Sequence, residues 1–382
     1  MKPLTIHFYT AFVHEQGTYF RFHNLARGLT ALGQNVTVYA CDQDRSARPR
    51  TENRDGIKYQ ILPVSAAARV FEATCDPVTT VKSSLIRRPA CDIAHLFQPF
   101  PAAALAWRRS ETRARFWDWD DLWTHEAGRR PLRPLRHHWS KPVIALMEKT
   151  LPKVADHVTA IDAFLGDLAK SRGAKKVSLL YNPSPAVSLD SKIEIRRRLG
   201  LNPDALYVGF MGFTTAEMEW CLTAVAQNSS TFPMLRFAVC GPDKETLGPL
   251  PQELKSRVDA LGRLSQLEAR QFAAALDLAL LPLEDNLFNR SRFPVKFSEY
   301  LMAGTPVLCS EVGECAKLAP SMPWVLGAGT TRQQWLDTFP EALKAVEQNR
   351  VPAVNERSVH QLFSEHTVCC GLLAAYRAEL ND

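Results

Sequence analysis

Residues Pro282–Ser310 read PLEDNLFNRSRFPVKFSEYLMAGTPVLCS, and the order of signals in this stretch decides the fold. An apolar run, DLALLPL, arrives from Asp277 to Leu283 with the character of a buried parallel strand. A polar loop follows from Glu284 to Arg292. Beyond it the pattern predicts a helix with Pro294 at its first position, where a missing N–H costs nothing. Gly304 is its expected left-handed cap, and PVLCS is the next short strand.

Lys296, Glu299 and Tyr300 lie three and four residues apart and share one face of that helix. Phe297 and Leu301 take a neighbouring face that anchors in a core. The positive end of the helix, with Lys296 in its first turn, then points to the mouth of the sheet. Free N–H groups and a cation there make an anion site. Glu299, one turn deeper, can accept hydrogen bonds from a neutral polyol such as ribose. The same spacing fits a solvated face with a Lys–Glu pair and no ligand. Spacing alone leaves both readings open.

A chain of 382 residues is long for one core and natural for two domains. Its hydrophobic content of 46% and charged content of 23% are those of a soluble globular protein. The start, MKPLTIHFYT, enters a strand without a signal-peptide pattern, and no run is long and apolar enough to span a bilayer. Nine scattered cysteines show no zinc-type spacing and read as reduced thiols of a cytoplasmic protein. The net charge of +6 gives a mild preference for anionic surroundings. Arg108, Arg109, Arg113 and Arg115 form one basic group; Arg129, Arg130, Arg133, Arg136 and Lys141 form another, interleaved with Leu, His and Trp139. No nucleic-acid-binding motif accompanies them, so nucleic acid is not an expected partner. The second group fits peripheral contact with an anionic membrane surface, and equally a plain solvated surface.

The chain opens with a strand, LTIHFYT, a loop, AFVHEQGT, and a helix from about Tyr19 to Leu32 with Thr18 as N-cap and Gly33 as stop. NVTVYA is the second strand, and the unit opens a doubly wound α/β domain. A single glycine, Gly17, stands where a dinucleotide fingerprint needs three, which disfavours NAD. The next strands are GIKYQILP and CDIAHLFQ, then RARFWDWDDLW. Alternation puts Phe116, Asp118 and Asp120 on one side of that strand and Trp117, Trp119 and Asp121 on the other. Acids at a strand's C-terminal end stand where α/β proteins place their chemistry. The Pro- and Ser-rich NPSPAVSLDS reads as a linker. A second domain follows through strands LYVGFMG and MLRFAVCG, ending at Gly212 and Gly241, and an edge strand in VDALGRL. Ser265 and Glu268 form a capping box. Two helices close the chain, Pro340 interrupting the first and the second running from about Val354 to Leu380.

NRSRFPVKFSEYLMAGTPVL resembles the donor-binding segment of GT-B glycosyltransferases, specifically the GT4-like retaining group. The resemblance implies two Rossmann-like doubly wound domains facing each other across a cleft. Residues 1–183 would form the acceptor side, 184–191 the linker, 192–353 the nucleotide-sugar domain, and 354–382 a helix returning to the first domain. It implies transfer of a sugar, with retention, from a nucleotide-diphosphate donor to an acceptor hydroxyl, in the cleft and without an obligatory metal or other cofactor. Donor contacts would fall on Gly17, Gly212, Gly241, Asn289, Arg290, Arg292, Lys296 and Glu299, with Glu299 on the ribose. The acidic or histidine position facing the acceptor maps best onto Asp118, with Asp120 and His125 as neighbours and Asp121 as a helix cap. His14 and Glu15 lie in the first loop on the acceptor side. Asp-Trp-Asp also matches the metal-binding D-x-D of a different architecture, GT-A.

Two departures stand out. The family's Arg and Lys beyond the first strand of the second domain are absent from FTTAEMEW, so either Arg290, Arg292 or Lys296 takes over the diphosphate charge or the donor grip is weak. Ser291 stands at the first of two glutamates that many members carry. An epimerase or phosphorylase on the same fold, or a non-catalytic partner subunit, are the alternatives. The nucleotide base, the sugar and the acceptor (a lipid-linked glycan, a natural product or a protein) are left open.

Overall fold

A computed structural model describes residues 2–14, 17–42, 48–64, 75–126, 136–185, 190–212, 215–247 and 250–381. The chain divides into two compact units, residues 1–185 with 365–382, and residues 186–364.

The first unit is built on β1 (Thr5–Thr10), β2 (Asn35–Asp42), β3 (Arg50–Arg54), β4 (Ile57–Pro63), β5 (Cys91–Phe97), β6 (Thr112–Trp119), β7 (His157–Ala160) and β8 (Val177–Leu179). Their order is β3-β4-β2-β1-β5-β6-β7-β8. All neighbours are parallel except the β3–β4 pair. Strand order reverses between β1 and β5, the position where open α/β sheets bind ligands. The helix Thr18–Ala31 lays Phe22, Leu25, Ala26 and Leu29 on the core with Ile6, Phe8 and Val38. Its N-cap is Gly17, at φ 54°, rather than Thr18. A backbone at that φ and ψ −120° suits glycine, which explains the shift of one residue.

The second unit carries β9 (Leu206–Met211), β10 (Leu235–Cys240), β11 (Val258–Ala260), β12 (Leu278–Leu281), β13 (Val307–Cys309) and β14 (Val325–Gly327). The order is β11-β10-β9-β12-β13-β14, parallel throughout. This is the doubly wound dinucleotide-fold order, with its reversal between β9 and β12. The expected strand–loop–helix–strand is present as β12, the helix Val295–Met302 and β13. Pro294 is the N-cap of that helix, one position before the expected one. Gly304, at φ 75°, ends it: Gly304 N–H donates to Leu301 O and Thr305 N–H to Tyr300 O, a Schellman closure. The capping box of Ser265 and Glu268 is formed.

Two expectations for the C-terminal region are corrected. Pro340 lies inside a continuous helix, Arg332–Glu347, because Trp335, Leu336, Phe339, Ala342 and Leu343 bury one face across it. That burial outweighs the roughly 3 kcal/mol of an internal proline. The final helix is two helices, Glu356–Phe363 and Glu365–Leu380, broken at Ser364 with ψ 140°. The first belongs to the second unit, where Phe363 stacks on Phe293. Only the second belongs to the first unit, where Glu365 pairs with Arg27 and Cys369 packs so close that a Cβ on Gly28 would lie 2.4 Å from its Sγ.

Candidate active site

In the second unit, β9 ends at Met211 and Gly212 follows at φ 130°. The Tyr300 hydroxyl oxygen, on the helix Val295–Met302, accepts the Met211 N–H of this strand end at 2.8 Å. The bond fixes the helix over the strand end, and Lys296 on the same face lands beside Gly212. A Cβ on Gly212 would lie 2.5 Å from Lys296 Nζ, so only glycine leaves the cation its place. Gly241, after β10 at φ 128°, packs as tightly, since a Cβ there would meet Gly212 O at 2.8 Å.

Lys296 Nζ lies 4.1 Å from the centroid of the Phe210 ring and 3.9 Å from Glu217 Oε2. Arg292 reaches the other oxygen, Glu217 Oε1, at 3.2 Å, donates to Asn289 Oδ1 at 2.9 Å and covers the Phe288 ring. Two cations therefore share one buried carboxylate, itself only 4% exposed. Burial lowers the Lys296 ammonium to about 8; Glu217 opposes that fall and Arg292 adds to it. Glu299 is partly buried, and burial raises its carboxyl, with Arg270 and Lys296 opposing. No hydrogen bond or ion pair within the described residues occupies the Glu299 carboxylate. The group is therefore an acceptor open to a ligand.

The other expected donor residues divide. Asn289 is fully buried and builds the loop, donating to Glu284 O at 2.8 Å and receiving Arg292. Arg290 is exposed and paired with Asp285. Ser291 is buried and donates to Phe288 O. Glu217 was not singled out by sequence reasoning. Its only signal was an acid in the segment searched for cations.

In the first unit, Asp118 lies at the end of β6 and is fully buried. Arg21 grips both its oxygens, Nε donating at 2.6 Å and Nη2 at 2.8 Å, and Thr159 donates at 2.5 Å. Arg21 also donates to Asn182 Oδ1 and Leu180 O. The network continues: burial keeps His95 neutral, lowered to about 3, with Nδ1 2.5 Å from the Tyr376 hydroxyl and Nε2 3.4 Å from Thr159 Oγ1. Asp118, the expected acceptor-facing acid, thus accepts three bonds from its own protein, two of them from a buried arginine.

Asp120, two residues on and beyond the strand, is differently placed. It accepts from Trp123 Nε1 at 3.0 Å. Burial and the neighbouring Asp118 raise it to about 6. Asp121 accepts through its backbone carbonyl from Trp119 Nε1 and Trp123 N–H. His125 belongs to the short helix Trp123–Glu126, and its side chain lies outside the described residues, as does Glu15. His14 is exposed, 3.3 Å from Asp42. Gly17 has open space where a Cβ would be. Gln98, just past β5 at the sheet's reversal, went unnoticed in the sequence. It is buried at φ 65°, accepts from Thr10 Oγ1 at 2.9 Å, and leaves Nε2 without a partner. Strain and an unmatched donor together mark functional positions more often than packing ones.

Of the basic groups, Arg113 pairs with Asp92 and Arg115 donates to Ser110 O. Arg129, Arg130 and Arg133 lie outside the described residues. Among the described residues no helix is long and apolar enough to cross a membrane, and no group of three or more His, Cys, Asp or Glu is arranged to hold a metal ion.

Comparison with known proteins follows this division. Residues 16–184 match a model described as a glycosyl transferase 4-like domain, and residues 202–344 one described as glycosyl transferases group 1. The chain is 21% identical over 234 residues to TuaH of Bacillus subtilis, named for a teichuronic acid biosynthesis glycosyltransferase. That alignment takes in 60% of this chain and 57% of the relative, so the chain spans little more than half the length of the curated protein it matches. Sucrose-phosphate synthase from Thermosynechococcus elongatus superposes with a TM-score of 0.73 at 15% identity, covering 99% of each chain. Anabaena HepE, solved with UDP-glucose, gives 0.69 at 15% identity, covering 98% of this chain and all of that one. At such identities the likeness is one of fold.

Proposed function

We propose, for a chain that belongs to the GT-B, GT4-like glycosyltransferases, that it transfers a sugar from a nucleotide-diphosphate donor to an acceptor hydroxyl. The observation that carries the reading is the helix Val295–Met302, with its cation pair at one end and an unengaged carboxylate one turn on. Arg292 and Lys296 receive the diphosphate, and Glu299 accepts from the ribose hydroxyls. HepE, a protein of the same fold, was solved with UDP-glucose, which supports a nucleotide sugar as the class of donor.

In the reaction the acceptor oxygen forms a bond to the anomeric carbon, and the bond from that carbon to the diphosphate oxygen breaks with its electrons going to the diphosphate. Positive groups at the leaving oxygens lower that barrier. The acceptor proton passes to Asp120, which is charged above about pH 6 and lies at a strand end rather than inside an ion pair. Retention of configuration belongs to the family reading. Metal independence is part of the proposal, supported by Asp118 being held by Arg21 instead of standing free beside Asp120. Donor groups lie in the second unit and Asp120 in the first, so turnover needs both.

Titration calorimetry with UDP-, GDP-, ADP- and dTDP-sugars tests the donor assignment. One of them binds the wild type and binds markedly less well to Lys296→Ala. Equal affinity for both Lys296→Ala and Glu299→Gln removes it.

A further inference from the structure

Glu217 is out of place in a seat for a diphosphate. It is a buried carboxylate, on the helix Thr215–Asn228, within reach of the two cations that the anion would use. An acid there repels the ligand, yet its geometry is that of an organiser. Arg292 contacts one oxygen and Lys296 approaches the other, while both cations keep an exposed side, 21% and 25%. Each is also laid on an aromatic ring, Phe288 and Phe210. Two like charges so close repel one another, and partial burial makes that repulsion stronger than in water. A shared counter-ion offsets that repulsion and leaves the group with one net positive charge.

We propose that Glu217 is the positioning residue of the diphosphate seat, holding Arg292 and Lys296 together as a forward-facing cationic pair. The proposal rests on the donor reading above. Glu217 does not touch the reacting atoms and acts through its two partners.

Lys296 is the sensitive reporter. The groups that bear on it are Glu217 and the Cys221 thiol from the helix Thr215–Asn228, Arg292 from the preceding loop, and Glu299 on its own helix. Glu217 is the largest of the influences that keep it charged, against burial and Arg292. Without Glu217 the ammonium loses its proton at lower pH, and the seat loses a cation near neutrality. Nucleotide affinity then falls as pH rises, over a range set below the wild-type midpoint of about 8.

The test follows Lys296 directly. Lysines are reductively methylated with 13C, and the Lys296 signal, assigned by its loss in Lys296→Arg, is titrated by NMR. The same preparations are titrated with UDP and GDP by calorimetry across pH 6–9.5. In Glu217→Gln the Lys296 midpoint falls by about one unit or more, and the alkaline limb of nucleotide binding falls with it. In Arg292→Gln the midpoint rises, since Lys296 then has the carboxylate to itself. This second variant keeps the test open should Glu217→Gln fail to fold. A wild type that binds and a folded Glu217→Gln with unmoved midpoint and limb overturn the role of Glu217 alone. An unmoved midpoint in Arg292→Gln also overturns it, because the three groups are then not coupled. A wild type that binds no nucleoside diphosphate overturns the donor reading and the inference with it.

Discussion

Asp118→Asn separates stability from chemistry. In the structure the carboxylate accepts two bonds from Arg21 and one from Thr159, and Arg21 is only 2% exposed. The isosteric amide keeps the shape, removes the negative charge and turns an N–H toward a donor. Breaking a buried ion pair by removing one partner costs about 3–5 kcal/mol. Two features place this case at the low end: Arg21 keeps its bonds to Asn182 and Leu180, and Asp120 and Asp121 still favour its charge. A loss of about 3 kcal/mol in a unit of this size lowers the unfolding temperature by roughly 6–12 °C. Calorimetric scans of the whole chain, read at the transition of the first unit, measure it. Removing both charges, as in Arg21→Met with Asp118→Leu, should recover part of the loss, because no buried charge is then left alone. An Asp118→Asn protein that melts with the wild type yet transfers no sugar would refute this reasoning and return Asp118 to the chemistry.

Asp120→Asn should lower transfer while leaving nucleotide affinity unchanged. Because its carboxyl is raised to about 6, wild-type turnover should fall as pH drops through that value, and the variant's residual rate should lack this limb. A pH–rate profile of both proteins checks it. Glu299→Gln should weaken nucleotide binding by about 1.5–3 kcal/mol, the range for a hydrogen bond to a charged group; calorimetry reads it. Gly212→Ala should cost about 1–3 kcal/mol in stability through its φ of 130°, and should displace Lys296, so nucleotide affinity falls as well. Turnover should survive EDTA at saturating substrates, and complete loss restored by manganese or magnesium would refute metal independence.

The periodic parts of the chain were legible. The run Asp277–Leu283, the helix after Pro294 and the stop at Gly304 follow from burial, φ restriction and left-handed capping, all of which are local. The break at Ser364 was not legible, since Val354 to Leu380 continues a helical pattern through it. The division comes from partners distant in sequence: Phe293 for Phe363, and Ser184 O for Glu365 N–H. The same limit applied to Asp118. Strand alternation and position at a sheet's mouth were read correctly, but they say nothing about Arg21, which is 97 residues away. An acid at a strand end can be a reactive group or one half of a buried pair, and only the three-dimensional partner decides.

That distinction orders four carboxylates, two in each unit. Asp118 is fully buried and accepts three bonds from Arg21 and Thr159, whose loss destabilises the fold. Glu217 is shared by two cations that remain partly exposed, and the role proposed for it acts through them. Asp120 keeps capacity beyond its bond to Trp123, and its raised carboxyl changes charge near pH 6, which suits the proton acceptor proposed for it. Glu299 carries no bond within the described residues, and an unmatched, partly buried acceptor is tolerated where a ligand completes it. Under the proposed function, free acceptor capacity, more than acidity or position in the sheet, separates the groups assigned to substrate from those that hold the protein. The ordering is testable as a set: Asp118→Asn should move mainly the melting temperature, Glu299→Gln mainly nucleotide affinity, and Asp120→Asn mainly turnover.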